Sequence, residues 1–372
     1  MSAAASSPVL NRLVALLRGS SGEASQQARA LARSAVAVGA VAAGRVAQRR
    51  AVPAPETLPL PLAGEEQSLV LHEGTMRLVV RPGTDVSRPP VVLLPPLTPV
   101  SSAAELAPLF DALARDTGRT LVAADWLGFG RSDRPNVRYQ SGLYQRHLRR
   151  LLTAHVSRAA DLVAVGHAAE IAAAVAFAAP GSVRRLVLVA PSGMERGGLT
   201  AATFGRMLLG LVGGTGAFDL AFRARLATRE AIRRYYADGV FLPGTAVPDA
   251  LVDYAARSVR ARGAAFAPRR LAEGLLSMDE HALGAYLNVR VPTLIVLPTL
   301  TDAVAPHYDA LADLARANDA LRVARAAGGW LPHADDPDAV AALVAAFLDG
   351  DPDGAVSGEP PAVRMHPKRF RR

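Results

Sequence analysis

Residues 124–135, ADWLGFGRSDRP, place a Gly-x-Gly turn directly after a short apolar run. An apolar run that ends in glycines indicates a buried strand followed by a tight turn. Similar short runs alternate with amphipathic segments along the chain, which is typical of a mostly parallel sheet covered by helices on both faces. The predicted strands are Ser68–Leu71, Met76–Arg81, Val91–Leu94, Thr120–Ala124, Leu162–Val165, Arg185–Ala190, Thr293–Leu297 and Leu321–Arg325. The sequence therefore predicts an α/β fold.

Two features complete the predicted organisation. The first two strands flank a turn at residues 72–74 and form an antiparallel hairpin, so the sheet is mixed. About 100 residues of helical, arginine-rich character separate the strands at Ala190 and Thr293, which is too long for a simple crossover and indicates an inserted helical cap. The predicted divisions are a basic extension and linker (1–61), a first core part (62–193), the cap (194–288), a second core part (289–350) and a basic, disordered tail (351–372).

The formal net charge of +9 resides at the two ends of the chain. Residues 1–50 hold seven arginines against Glu23, and residues 359–372 hold four arginines and Lys368 against Glu359. The body between them is close to neutral, so no nucleic-acid partner is expected. The chain has no cysteine, which excludes disulfides, thiolate nucleophiles and cysteine-ligated zinc. No metal or cofactor is expected.

The extension at residues 1–50 has two interpretations. It is a packed or flexible arm, or a weakly amphipathic basic anchor that lies on anionic lipid. No uncharged apolar run approaches the roughly 18 to 20 residues that span a bilayer. No signal peptide is evident either. The sequence therefore predicts a cytoplasmic protein, with peripheral membrane contact through residues 1–50 as the alternative.

The segment at residues 124–135 resembles the strand-to-loop signature of the α/β-hydrolase superfamily. Five further segments follow the order that the superfamily requires: Val91–Pro96, Val165–Glu170, Val187–Met194, Val291–Pro306 and Gly329–Pro337. The resemblance covers residues 69–348 apart from the cap. It implies an α/β-hydrolase fold, with a mostly parallel central sheet flanked by helices and an inserted helical cap.

The resemblance also implies a nucleophilic serine on a sharp strand-to-helix turn of pattern G-x-S-x-G. The matching residues 166–170 read GHAAE, which puts Ala168 at the nucleophile position. A methyl group forms no acyl-enzyme. His167 is interpreted as a packing residue, and Glu170 as a charge in the first turn of a helix.

Of the other two members of the implied triad, the acid is matched in this sequence and the histidine is not. Asp302, four residues before Pro306, matches the acid, whereas Trp330 stands at the position of the catalytic histidine. His333 matches a second histidine of the same loop and is interpreted as structural. Its takeover of the base's role is the alternative, since three residues of chain can displace a side chain by up to ~10 Å.

The oxyanion turn is degraded as well. Pro95-Pro96 replaces the superfamily's His-Gly, and Pro96 has no backbone N–H to donate. Leu97 and Ala169 remain as candidate oxyanion-type backbone donors, and are otherwise ordinary backbone of a remnant pocket. The predicted pocket is lined by Pro95, Pro96, Leu97, Ala168, Asp302 and Trp330.

Loss of the nucleophile or the base of a serine protease costs about a millionfold in rate, and loss of both costs little more. The sequence therefore predicts a protein that is inactive as a serine hydrolase and binds a small apolar or amphipathic molecule or a partner protein. The superfamily offers precedents with incomplete sites among hormone receptors and N-myc downstream-regulated proteins.

Two alternatives stay open at this point. The first is an ester-type hydrolase that uses Ser192 or water as nucleophile with His333 and Asp302. The second is a membrane-peripheral protein anchored through residues 1–50. The cap arginines Arg229, Arg233 and Arg234 are interpreted as a solvated face, with an anionic ligand or partner as the minority interpretation.

Overall fold

The computed structural model describes residues 58–156, 159–192, 217–226, 228–278, 280–299, 315 and 318–350. The N-terminal extension, the first part of the predicted cap, Asp302 and the C-terminal tail lie outside the described residues. Within those described ranges, no helix combines the length and the apolarity needed to cross a membrane.

Eight strands form one sheet in the order β1-β2-β4-β3-β5-β6-β7-β8. They are β1 (Glu65–Val70), β2 (Thr75–Arg81), β3 (Val91–Leu94), β4 (Leu121–Ala124), β5 (Ala160–Val165), β6 (Val183–Val189), β7 (Thr293–Pro298) and β8 (Leu321–Ala326). Strands β3 to β8 run parallel, and β2 is antiparallel to both its neighbours. The predicted mixed sheet is confirmed, with strand ends that differ from the prediction by at most three residues.

Helices cover both faces of this sheet. They are α1 (Ala107–Asp116), α2 (Ser141–His155), α3 (Ala168–Ala178), α4 (Ala217–Leu226), α5 (Arg229–Gly239), α6 (Asp249–Ser258), α7 (Phe266–Ala272), α8 (Glu280–Asn288), α9 (Pro332–Asp335) and α10 (Pro337–Asp349), with 3₁₀ turns at Ala103–Leu106 and Pro180–Ser182. Helices α4 to α8 lie between β6 and β7, where the inserted cap is expected. The residue boundaries of the divisions stay a prediction.

Strand β3 shows why the buried strands read as continuous apolar runs. Val92 and Leu94 face a core shared with α2, α3 and α8. Val91 and Leu93 face the opposite core, shared with α1, α10 and the cap helices α5 and α6. Successive side chains alternate between faces, and a sheet covered on both sides buries them all.

A buried ion cluster fastens the last helix to the amino ends of the strands. Asp161 at the start of β5 is fully buried and pairs with Arg119 at 2.5 Å and with Arg184, whose Nε donates at 2.8 Å. Both arginines also donate to the carbonyl oxygen of Leu348 at 2.9 Å, in the last turn of α10. Arg185 donates to the carbonyl oxygen of Phe347 at 2.9 Å. Cationic groups at a helix C-terminus match the negative end of the helix dipole.

We expect Asp161→Asn to lower the free energy of unfolding by about 3 kcal/mol, because it removes the fully buried charge that pairs with Arg184 and leaves the buried Arg119 with only the partly exposed Asp349. Urea unfolding followed by circular dichroism measures this. The matched control is Asp338→Asn, whose pair with Arg115 is exposed and is expected to change stability by less than about 1 kcal/mol. Equal effects of the two variants would contradict this account.

Candidate functional site

The carboxyl edge of the sheet is organised by Asp125, directly after β4. Its carboxylate is 2% exposed and accepts the backbone N–H groups of Ala103 at 2.7 Å and Arg131 at 2.8 Å. The Ser132 hydroxyl donates to the Asp125 carbonyl oxygen at 2.7 Å. A Cβ at Gly130, whose φ is +50°, would lie 2.1 Å from the Asp125 carboxyl group. Residue 130 must therefore be glycine, which explains the second glycine of the turn.

The sharp turn after β5 lies at Gly166, the first residue of the predicted elbow at residues 166–170. Gly166 has a left-handed φ of +57°, whereas Ala168 is the first residue of α3 and is fully buried. A nucleophile elbow places its serine on the strained residue of this turn. The left-handed residue of the turn is therefore Gly166 rather than Ala168, and neither residue carries a hydroxyl group.

The turn at Gly166 faces the turn at Pro95-Pro96. A Cβ at Gly166 would lie 3.3 Å from the Cβ of Pro96, and Pro95, Pro96 and Leu97 are all buried. The two turns of the predicted pocket are therefore brought together. The predicted donor Ala169 is already engaged, since its N–H donates to the Gly166 carbonyl oxygen at 3.0 Å. The first amide after the turn is that of His167, which is half-buried rather than packed in the core.

The ring of His333 binds a backbone carbonyl oxygen and not a residue of the elbow. Its ring is fully buried, and Nε2 lies 2.9 Å from the carbonyl oxygen of Glu105, in the 3₁₀ turn that follows β3. Burial lowers the pKa of His333 to about 4, so the ring is neutral at physiological pH. Its predicted partner Asp302 lies outside the described residues.

Trp330 does not close the predicted pocket as a buried wall, because its side chain is 39% exposed. Its backbone N–H donates to the carbonyl oxygen of Val240 in the cap at 2.8 Å. Asp335 binds the same cap segment, accepting from the N–H of Leu242 at 3.0 Å and the hydroxyl of Thr245 at 2.6 Å. The loop that carries the superfamily's histidine is here an attachment point for the cap.

Ser192 lies against Glu170. The serine hydroxyl donates to Glu170 at 2.6 Å, and the same buried carboxylate accepts from the Ser277 hydroxyl at 3.2 Å and the Met278 N–H at 2.7 Å. Glu170 thus joins the elbow helix, the end of β6 and the cap. Neither ring nitrogen of His333 is bonded to Ser192 within the described ranges. The structure therefore does not bring together the rearranged serine and histidine of the hydrolase alternative.

Glu105 is a functional candidate that the sequence analysis missed. Its carboxyl group is 1% exposed and accepts from Tyr236 of cap helix α5 at 3.1 Å, from Thr98 at 3.4 Å and from the N–H of Ser102 at 3.3 Å. Burial raises the pKa of Glu105 to about 8. The Ser102–Glu105 spacing is the capping-box pattern S-x-x-E, which indicates a helix start but gives no sign of burial.

The cap arginines Arg229, Arg233 and Arg234 are paired with carboxylates of the cap itself. Arg229 and Arg233 pair with Asp249, and Arg234 pairs with Glu230 at 2.5 Å. These side chains are about half exposed. This arrangement agrees with the interpretation of these arginines as a solvated face of the cap.

Comparison with known proteins agrees with the geometry of this edge. Residues 89–337 match the family model described as alpha/beta hydrolase fold. The chain belongs to the alpha/beta hydrolase fold family. No curated protein matches the sequence.

Several solved structures of the family are similar to this chain. A serine hydrolase involved in carbazole degradation is 19% identical, with 77% of this chain and 99% of that chain covered and a TM-score of 0.59. A probable hydrolytic enzyme from Pseudomonas aeruginosa PAO1 is 20% identical, with 79% and 97% covered and a TM-score of 0.61. A carboxylesterase from Bacillus subtilis is 13% identical, with 79% and 94% covered and a TM-score of 0.59. At these identities the likeness shows the fold alone.

We expect Gly166→Ala to destabilise the protein by about 1–2 kcal/mol or more, because an L-residue in the left-handed region is strained and its methyl group meets Pro96. Gly239→Ala is the control. It lies at the end of α5 with nothing within 4 Å of its Cβ, and the higher helix propensity of alanine is expected to leave stability unchanged or raise it. Thermal unfolding that shows the same sign for both variants would contradict the left-handed turn.

The pH dependence of stability tests Glu105. A carboxyl group whose folded pKa of about 8 exceeds its unfolded value stabilises the fold most at low pH and loses this contribution as pH rises from about 4.5 through 8. The expected slope is up to about 1.4 kcal/mol per pH unit. Glu105→Gln keeps the side chain's shape and is expected to flatten the profile in that window. The exposed Glu230→Gln should reproduce the wild-type slope, and a slope that persists in Glu105→Gln would refute the assignment.

Proposed function

We propose that this member of the alpha/beta hydrolase fold family does not act as a serine hydrolase and instead binds a small apolar or amphipathic molecule beneath its cap. One observation carries the proposal. The left-handed residue of the strand-to-helix turn is Gly166, which has no side chain, and Ala168 offers only a methyl group. No oxygen nucleophile stands on the turn.

The surroundings of the turn support the loss of hydrolysis. Trp330 replaces the imidazole, and His333 is neutral, buried and bonded to a backbone carbonyl oxygen. Loss of one triad member costs about a millionfold in a serine protease, and the members act as a unit. The remaining backbone donors would give slow, oxyanion-type assistance at most.

The cap's attachment supports a retained binding site. Glu105, Glu170 and Asp335 of the core each accept hydrogen bonds from the cap, through Tyr236, Met278 and Leu242 respectively. Ligands of open α/β sheets bind outside the carboxyl ends of the strands. In this protein the cap is attached over that edge. The turns at Pro95-Pro96 and Gly166, which face each other, would give a ligand bound there an apolar lining. The same edge of the sheet could instead bind a partner protein, which is the alternative ligand within this proposal.

One contact favours a second candidate, an ester-type hydrolase with Ser192 as nucleophile. The Ser192 hydroxyl lies 2.6 Å from the Glu170 carboxylate, which would have to accept its proton. Glu170 already accepts two further hydrogen bonds from the cap, from Ser277 and Met278, at its other carboxyl oxygen atom, so this carboxyl group is engaged in holding the cap. Binding without hydrolysis is therefore the better supported proposal.

The deciding experiment is labelling of the purified protein with a fluorophosphonate probe, followed by mass spectrometry of every serine peptide. We expect no modification of the wild-type protein or of Ser192→Ala under conditions in which an active serine hydrolase in the same tube is fully labelled. Stoichiometric modification at Ser192, lost in Ser192→Ala and in Glu170→Gln, would replace the proposal by the second candidate.

The binding half of the proposal has its own measurement in the same preparation. Trp126 is fully buried, so Trp330 is the exposed one of the chain's two tryptophans and reports on the cap boundary. We expect decanoate or 1-decanol to change Trp330 emission saturably and to raise the unfolding temperature, since a ligand at 100 times its Kd adds about 2.7 kcal/mol. Trp330→Phe is the control for the emission. No saturable response to either probe would count against an acyl-chain ligand.

A further inference from the structure

Consecutive backbone N–H groups at the start of the 3₁₀ turn after β3 bind two different buried carboxyl groups. The N–H of Ser102 donates to Glu105 at 3.3 Å, and the N–H of Ala103 donates to Asp125 at 2.7 Å. Glu105 is 1% exposed and Asp125 is 2% exposed. Because neighbouring amides of one turn bind them, the two carboxyl groups lie close together and away from water.

Two carboxyl groups in such a site do not readily carry a charge at the same time. Asp125 is the better placed to be charged, because it also accepts the N–H of Arg131 at 2.8 Å and is attracted by the guanidinium groups of Arg131 and Arg134. Burial, together with the charge of Asp125, raises the pKa of Glu105 to about 8. At neutral pH the proton therefore resides on Glu105.

Cap helix α5 bonds directly to this protonated group. The hydroxyl of Tyr236, which is fully buried, donates to Glu105 Oε1 at 3.1 Å, and the hydroxyl of Thr98 donates to the same oxygen at 3.4 Å. Tyr235, the preceding residue of α5, is hydrogen-bonded to Thr98. Two adjacent tyrosines of the cap thus attach α5 to the turn, and the Glu105 carboxyl group is enclosed between α5 and the core.

The other elements packed against the turn bring few further ionisable groups to it. His333 of α9 is neutral and bonds to the backbone carbonyl oxygen of Glu105. Tyr254 of α6 is buried and interacts with Asp125, and burial raises its pKa. Near neutral pH, Glu105 is therefore the group of this contact that titrates. The remaining charged residues of α1 and α6 are exposed or paired with α5, and they are Asp111, Arg115, Asp116, Asp249, Asp253 and Arg257.

We propose that Glu105 is a proton-dependent switch for the cap, whose protonated form keeps α5 on the core and whose ionisation favours the release of α5. A Glu105 carboxylate in the closed contact faces Asp125 without water, whereas water solvates it once α5 has moved away. This inference goes beyond the proposed function, because it holds whether or not a ligand lies beneath the cap.

Thermodynamic linkage gives the direction and the range of the effect. The closed state binds the Glu105 proton more tightly than the open state, so the closed state is favoured at low pH and loses this advantage as pH rises. The open fraction is expected to rise by up to about tenfold per pH unit between roughly pH 4.5 and 8 and to level off above pH 8.

A single introduced cysteine tests the switch without background, because the chain has no cysteine of its own. Ile232 is fully buried on α5, one turn before Tyr236, so Ile232→Cys reacts with methyl methanethiosulfonate only when α5 leaves the core. The labelling rate is divided by the thiolate fraction of a cysteine peptide at the same pH. We expect this corrected rate to rise at least about tenfold from pH 6 to 8 and less than about twofold from pH 8.5 to 9.5.

The matched variant is Glu105→Gln/Ile232→Cys, which keeps the shape of the side chain and removes its titration. Its corrected labelling rate is expected to stay constant from pH 6 to 9.5. A rise equal to that of Ile232→Cys, or a constant rate in Ile232→Cys itself, would overturn the proposal. Tyr236→Phe/Ile232→Cys removes the bond from α5 to Glu105 and is expected to label faster at pH 6. An unchanged rate there would show that this bond does not hold α5.

A second cysteine position separates release of the cap from unfolding of the whole protein. Val340 is fully buried in α10, so Val340→Cys becomes accessible when the core itself opens. We expect Val340→Cys to label at least about a hundredfold more slowly than Ile232→Cys at every pH, because local opening of a part of a protein costs less free energy than global unfolding. Equal rates at the two positions would mean that Glu105 acts only on global unfolding, and would overturn the proposal.

Discussion

The carboxyl edge of this sheet depends on one buried carboxylate. Asp125 leaves the end of β4 and binds the N–H groups of Ala103 and Arg131, so that the turn after β3 and the Gly-x-Gly loop are held against each other. Burial raises the pKa of Asp125, while the two backbone N–H groups favour its charged form. Gly130 has no room for a side chain beside it. The turn that carries Ser102 and Glu105 is therefore placed by a contact that involves no substrate.

The turn after β5 has its left-handed conformation at a glycine. Hydrolases of this fold accept strain at the nucleophile because the strain exposes the reactive oxygen. Gly166 adopts the left-handed conformation at no steric cost, so the chain has the turn but neither the strain nor the oxygen. Among the described residues, the positive φ of a non-glycine occurs at Ala190, at +45°, two residues before Ser192. The strained backbone thus lies at the end of β6, beside the Glu170 contact.

Two buried titratable groups on neighbouring segments respond to pH in opposite directions. Glu105 is stabilised in its protonated form, and stability falls as pH rises towards its pKa of about 8. His333 is stabilised in its neutral form, and stability falls as pH drops below its ordinary value towards about 4. Both groups are uncharged between these limits. Glu105 and His333 therefore add no charge to the edge of the sheet beneath the cap at neutral pH.

The sequence by itself determined the sheet, because strands buried on both faces, such as β3 and β5, appear as unbroken apolar runs. It also predicted that Ala168 and Trp330 stand at the family's nucleophile and histidine positions. It did not determine that the chain turns at Gly166, where glycine adopts the left-handed conformation without strain, and that Ala168 already belongs to the helix. The tertiary structure alone decided the environment of Glu105 and His333, which lie 228 residues apart and acquire their shifted pKa values only when they are buried together.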